Sequence, residues 1–317
     1  MNIPYFDAHC DTLSAMFNTE QALEENNLHV DLKRGAHYVP RAQFFAMFAD
    51  LGSNRRSNSF KNGTKKFQLQ LQLLTGTLLK NRASLALCRG ALDLIRAEKE
   101  RKTGVFLSVE GAELLNCDLW YLEMAHRAGV RMLGLTWNYQ NALSGSHAQH
   151  PEMGLTALGK EFVLRCEELG IIVDVSHLSP RGFWDVTEVL EIPFVASHSN
   201  SAKIWNHSRN LTNAQFLAIK RARGVCGINL YADFLGENPD IDTVIAHIEH
   251  FLSLGGEKCI AIGADFDGCD RLPAGIEGVQ DVHKIAERLL QKNFPEALIY
   301  DIFYNNLKRV VGEICVT

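Results

Sequence analysis

The chain has 317 residues, 46% of them hydrophobic and 22% charged, with a formal net charge of −5 and a mean hydropathy of −0.08. That balance excludes an intrinsically disordered chain, and its mild acidity gives no electrostatic reason to bind nucleic acid or an anionic membrane. The opening residues, MNIPYFDAHCDTL, lack the basic and apolar regions of a secretory leader, and no stretch reaches the ~18 uninterrupted apolar residues of a membrane span, so the expected location is cytoplasmic.

Short apolar runs rich in β-branched and aromatic residues occur at 3–7, 43–48, 105–109, 132–136, 171–175, 194–197, 225–230 and 260–264, which makes eight candidate strands. Between them the spacing predicts helices at 118–128, 156–169, 180–190, 213–221 and 242–254, several closed by a glycine such as Gly129, Gly170 or Gly255. Two more, at 282–292 and 295–313, end the chain. The stretch 54–102 is longer than one crossover needs and reads as a helical insertion after the second strand, with 67–80 apolar at helical spacing.

This alternation predicts an α/β fold, a TIM-type (β/α)8 barrel. An open doubly wound sheet fits less well, because no G-x-G-x-x-G follows the first strand. Without a Pro/Ser-rich linker or a repeat, residues 1–317 read as a single domain. The eight cysteines contain no C-x-x-C pair, so free thiols are expected in place of a disulfide framework or a thiolate zinc site.

Metal-competent side chains recur where the predicted strands end: His9 and Asp11, Glu110, His177, His198 and Asp265. In a parallel barrel those positions open onto one rim, the C-terminal face. His9 and Asp11, two apart in an extended chain, point to the same side. Three imidazoles with several carboxylates form a mixed N/O set suited to Zn²⁺, or to Mn²⁺, Co²⁺ or Fe²⁺. Singly, each residue also has a structural reading: a capped turn for His9 and Asp11, a helix cap for Glu110, core or capping histidines for His177 and His198, and turn formation before glycine for Asp265 and Asp267. Their concentration at one rim is what favours ligation.

From DAHCDT through VEGAE, GLTALG, DVSHLS, ASHSNS, SRN, GINLY and GADFDG to NNLKRVVGEI, the ordered motifs resemble the renal (membrane) dipeptidase family of the amidohydrolase superfamily, over nearly the whole chain. The resemblance implies a barrel of the amidohydrolase kind and a zinc-dependent, binuclear dipeptidase acting on dipeptides with a free C-terminal carboxylate. By position it implies His9 and Asp11 as ligands of one metal, His177 and His198 as ligands of the other, and Glu110 as the bridging carboxylate. Asp265 resembles the proton-transferring aspartate, Arg209 the arginine that holds the substrate carboxylate, and Asn229 and Tyr231 pocket residues. Two divalent ions, Zn²⁺ expected, would lower the pKa of a water held between them and supply hydroxide as nucleophile.

One departure stands out. The family commonly reads L-T-H after the fourth strand, whereas this chain has Leu135, Thr136, Trp137 and Asn138. The indole N–H of Trp137 only donates. Trp137 and Asn138 are expected at the substrate, and the sequence leaves open whether Asn138, His147 or His150 helps polarise the reacting carbonyl or the substrate differs. His147 and His150 read as solvated loop residues. The implied partner is a small dipeptide, without nucleic acid or membrane, and a homodimer is left open. Two alternatives share the scaffold: a metal-dependent hydrolase of lactones, esters or cyclic amides, and a non-catalytic metal-binding relative. No G-x-S-x-G elbow is present, and Cys10, between two expected ligands, should point away from them.

Overall fold

The computed structural model describes residues 3–52 and 59–315. Nine strands occur in it: β1 (Tyr5–Cys10), β2 (Arg41–Met47), β3 (Leu85–Leu87), β4 (Thr103–Glu110), β5 (Val130–Gly134), β6 (Ile172–Asp174), β7 (Val195–Ala196), β8 (Val225–Ile228) and β9 (Ile260–Ile262). Their helices are α1 (Thr12–Thr19), α2 (Ser59–Lys80), α3 (Ala91–Lys99), α4 (Leu119–Ala128), α5 (Ala157–Leu169), α6 (Pro180–Val189), α7 (Asn213–Arg221), α8 (Ala232–Leu235), α9 (Ile241–Ser253), α10 (His283–Gln291), α11 (Glu296–Tyr300) and α12 (Asn306–Ile314). A π-helical stretch, Asp301–Asn305, joins α11 to α12, so the expected final helix is continuous but locally widened.

All strand pairs are parallel, and β1-β2-β4-β5-β6-β7-β8-β9 closes on itself through the β1–β9 and β2–β4 pairings. The eight predicted strands are the eight of the barrel. β3 was not predicted: its three residues pair only with Thr103, Gly104 and Val105 of β4, ahead of Leu107, where β5 takes over that edge. The insertion after β2 contains α2 as expected, together with β3 and α3; its stretch 54–58 lies outside the described residues.

Closure follows from burial on both faces. One apolar cluster takes a residue from each barrel strand, Phe6, Phe44, Phe106, Met132, Ile172, Val195, Val225 and Ala261, and adds Tyr304, Leu307 and Val310 from the chain's last turns. Side chains from all eight strands meet only on the barrel axis, so this cluster is the interior filling. The other cluster joins the outward residues, such as Leu107, Leu133 and Ile262, to the helices. Several helices start on a side chain that accepts from the first turn: Asp118 from Trp120, Thr156 from Gly159, Ser179 from Gly182, Thr212 from Gln215 and Asp240 from Thr243. All eight cysteines are buried free thiols, as expected. No helix among the described residues is long and apolar enough to cross a membrane.

Candidate metal centre

The expected donors do meet at the C-terminal mouth, by routes that differ from simple alternation. Ala8 belongs to the interior cluster, so strict alternation would turn His9 outward. The β1–β2 pairing shifts register between Asp7 and Cys10, and this irregularity re-aims His9 into the mouth. His9 is the penultimate residue of β1 and Glu110 the last of β4, so both lie within their strands and not beyond them. Asp11 is not extended, with φ −96° and ψ 12° at the start of α1, yet its Oδ2 lies 3.1 Å from His9 Nε2. Cys10 points away as expected, its thiol donating to the Phe44 carbonyl at 3.5 Å.

Glu110 stands between the two sides. Its Oε1 is 2.8 Å from His177 Nε2 and 3.5 Å from His198 Nε2, and its Oε2 is 3.8 Å from His9 Nε2. Asp265 Oδ1 is also 3.8 Å from His9 Nε2. Two overlapping sets thus converge, His9–Glu110–His198 and His9–Asp11–Asp265, each with its donor atoms within 4.8 Å of one another.

The surrounding hydrogen bonds assign the imidazole tautomers. Ser197 Oγ donates to Asp174 Oδ2 and so accepts from His198 Nδ1 at 2.7 Å. Asn138 Oδ1, an acceptor, takes His177 Nδ1 at 3.0 Å. Both rings therefore carry no proton on Nε2, and the two Nε2 atoms lie 2.9 Å apart, that of His177 accepting from Arg209 Nη2 at 3.1 Å. Burial, reinforced by the nearby cations Arg209 and His9, holds both histidines well below their ordinary pKa, which keeps them neutral. Two such lone pairs beside a carboxylate crowd three acceptors together, and a cation among them would satisfy all three where Arg209 reaches His177 Nε2.

Three further observations fit a divalent cation. Asp11 Oδ1 is buried without a hydrogen-bond partner among the described residues. A Cβ at position 268 would collide with Asp11 Oδ2 and Asp265 Oδ1, so Gly268 keeps room beside those oxygens. Burial alone would lower the His9 pKa, but Glu110, Asp11 and Asp265 outweigh it and push it up to about 10, the response of a site with excess negative charge. Burial and Asp11 likewise raise Glu110, and they raise Asp265 to about 6 against the opposing pull of His9.

A cavity of about 620 Å³ opens over these groups, in the size range of small-molecule sites. Trp137 lines it and packs on Phe48, with ring centroids 4.8 Å apart; Tyr231 and Phe234 face it from the other side. Asn229 stands behind Asp265, donating to its Oδ2 at 2.9 Å. Arg209 is 2% exposed and does not line this cavity. Its guanidinium donates to the Ser176 and His198 carbonyls and to His177 Nε2 at 3.1 Å.

His147 departs from its expected place in solvent. It lines the cavity, its Nε2 donating to Asn138 Oδ1 at 2.7 Å and its Nδ1 accepting from Ser208 Oγ at 2.9 Å. Burial and the Arg209 charge push its pKa down to about 3, so it is neutral. His150 is exposed, as expected. Asp267 is more than a turn former: it accepts from Thr12 Oγ1 at 2.5 Å and the His29 amide at 2.6 Å. Sequence reasoning missed the Asp174–Ser176–Ser197 network beneath the histidines. The signal was the repeated Ser-His step, Ser176–His177 and Ser197–His198.

Comparison with known proteins agrees with this picture. The family model described as membrane dipeptidase, peptidase family M19, matches residues 1–316. An uncharacterized protein in the pqqA 5′ region of Klebsiella pneumoniae is 29% identical over 257 residues, covering 77% of this chain and 94% of that protein. An uncharacterized dipeptidase of Schizosaccharomyces pombe is 30% identical over 275 residues, 82% of this chain and 65% of its own length. A metallo peptidase of Rhodobacter sphaeroides, solved with a phosphinate mimic of the dipeptide L-Ala-D-Ala, superposes with a TM-score of 0.90 at 24% identity, over 99% of this chain and all (100%) of that one. The motifs, the closed barrel and the matched family model together place this chain in the membrane dipeptidase family, peptidase family M19.

Proposed function

We propose that this chain is a dipeptidase that uses two divalent cations, Zn²⁺ the expected metal, to hydrolyse dipeptides with a free C-terminal carboxylate. The observation that carries the reading is the placement of Glu110, one oxygen toward His177 and His198 and the other toward His9. In this reading His9 and Asp11 would hold one cation and His177 and His198 the other, with Glu110 placed to serve both. When bound, such ions polarise a carbonyl and make water a competent nucleophile at neutral pH.

The protein's own groups do the rest. Asp265 accepts the proton of the attacking water at Oδ1 and returns it to the departing amine, while Asn229 anchors its other oxygen at 2.9 Å. The Asn138 and Ser197 bonds keep the Nε2 atoms of His177 and His198 unprotonated, that of His177 becoming available to ligate when Arg209 turns from it. Arg209 supplies the planar fork for the substrate carboxylate once its guanidinium turns from the Ser176 and His198 carbonyls toward the cavity. Trp137 and Tyr231 flank the bound dipeptide. The bound substrate mimic of the Rhodobacter sphaeroides protein supports the substrate class.

Turnover of an L,L and L,D dipeptide panel beside lactones and simple esters tests this reading. Hydrolysis of dipeptides, and its loss when the C-terminal carboxylate is amidated, is the expected result. Turnover confined to lactones or esters would replace it.

A further inference from the structure

The opposite end of the barrel holds a second cavity, about 210 Å³, under the first residues of β2 and β4. Its lining includes Tyr38, Arg41, Ser84, Arg101, Lys102 and Thr103. Arg41 is only 4% exposed, yet among the described residues its guanidinium makes a single hydrogen bond, Nη1 to the Asp31 carbonyl at 3.2 Å. Its Nε is buried with no partner among the described residues, and Asp7 attracts it without a direct ion pair. A buried cation without a counter-charge is costly, so such groups are normally paired.

The nearby carboxylates are engaged elsewhere, that of Asp31 by the amide and Nε of Arg34, each at 2.7 Å. Asp7 takes the Tyr5 hydroxyl at 2.7 Å and the amides of His9 at 3.2 Å and Ala264 at 2.9 Å. Glu98, on the cavity wall, takes the Tyr304 hydroxyl at 2.6 Å and Lys308 Nζ at 2.5 Å. Gly35 lies against the Arg41 guanidinium, where a Cβ would meet its terminal nitrogens.

We propose that this cavity binds a small oxyanion, phosphate or the phosphoryl group of a monoester, with Arg41 as buried anchor, Arg101 and Lys102 at the rim, the latter turning from its 2.8 Å pair with Glu100, and the Ser84 and Thr103 hydroxyls as further donors. The anion supplies the missing counter-charge, and the guanidinium fork matches its oxygens. This site is separate from the mouth and does not depend on the function proposed for it.

Calorimetric titration of the purified chain with inorganic phosphate, at constant ionic strength, tests it. The wild type should show a phosphate site that weakens about tenfold or more in Arg41→Gln, and severalfold in Lys102→Gln, while persisting in Glu110→Gln. Glycerol 3-phosphate in a parallel arm distinguishes sources: tighter binding than phosphate points to a monoester, weaker binding to the free ion. Binding lost in Glu110→Gln but kept in Arg41→Gln would put the anion at the mouth and overturn the proposal. So would equal affinity in wild type and both basic-residue variants, or no binding to the wild type at all. If Arg41→Gln fails to fold, the Lys102→Gln comparison at the rim decides.

Discussion

Glu110 Oε1 lies 2.8 Å from His177 Nε2, an atom left unprotonated because the same ring donates from Nδ1 to Asn138 at 3.0 Å. Arg209 reaches the same nitrogen at 3.1 Å and burial raises the Glu110 pKa, so the carboxyl and the imidazole are held together by the fold in a way that a shared cation would satisfy on both sides at once.

Metal binding should release protons. With no cation among these groups His9 is pushed up to about 10 by Glu110, Asp11 and Asp265 against burial, so at neutral pH it carries a proton that a metal must displace. Its ligand form is the neutral one, so affinity rises with pH between about 6 and 9, by up to ~10-fold per unit for one proton displaced. Calorimetry in buffers of different ionisation enthalpy counts the protons. A pH-independent affinity with no proton release would contradict the assignment of His9.

Asp265→Asn should keep the metal and lose the reaction. The amide retains the shape and the Asn229 contact but cannot accept a proton, so kcat should fall by about 10² to 10⁴ with metal content unchanged. Near-normal turnover would remove Asp265 from proton transfer.

Asn138→Ala should act through His177. Without the Oδ1 acceptor the ring is free to protonate Nε2, and metal affinity should drop about 10- to 100-fold, as is usual when a ligand's hydrogen-bonded support is removed. His147→Ala removes a second donor to the Asn138 oxygen and an edge-on ring contact with His177, 5.6 Å between centroids, but leaves the acceptor for His177 Nδ1 in place, and should lower affinity less. Equal or larger losses on His147→Ala would mean that His147 meets the metal or substrate itself.

Gly268→Ala places a methyl against the Asp11 and Asp265 carboxylates. Metal content should fall to a fraction of the wild-type value, and added metal should raise the melting temperature less than in the wild type. Wild-type metal stoichiometry in this variant would show that Asp11 can move without loss.

The barrel and its rim were legible because they rest on periodicity. A parallel strand buried on both faces writes an apolar run into the sequence, and the donors stand at or just past the end of each run. β3 was not legible, since the three residues Leu85–Leu87 make a run too short to separate from a loop. The inward turn of His9 was right for the wrong reason: it depends on a register shift between Asp7 and Cys10 that alternation cannot foresee. His147 was misplaced because its burial is decided by Asn138 and Ser208, the latter 61 positions away. The counter-charge problem at Arg41 was invisible for the same reason, as it exists only once Asp7 and Glu98 are spent elsewhere.

Stripping the protein of metal and titrating Zn²⁺ back while following dipeptide hydrolysis tests the central claim most directly. Activity should vanish on stripping and return in full at about two ions per chain, and Glu110→Gln should recover almost none of it at any metal concentration. Full turnover by the metal-free chain, or by Glu110→Gln, would contradict the account.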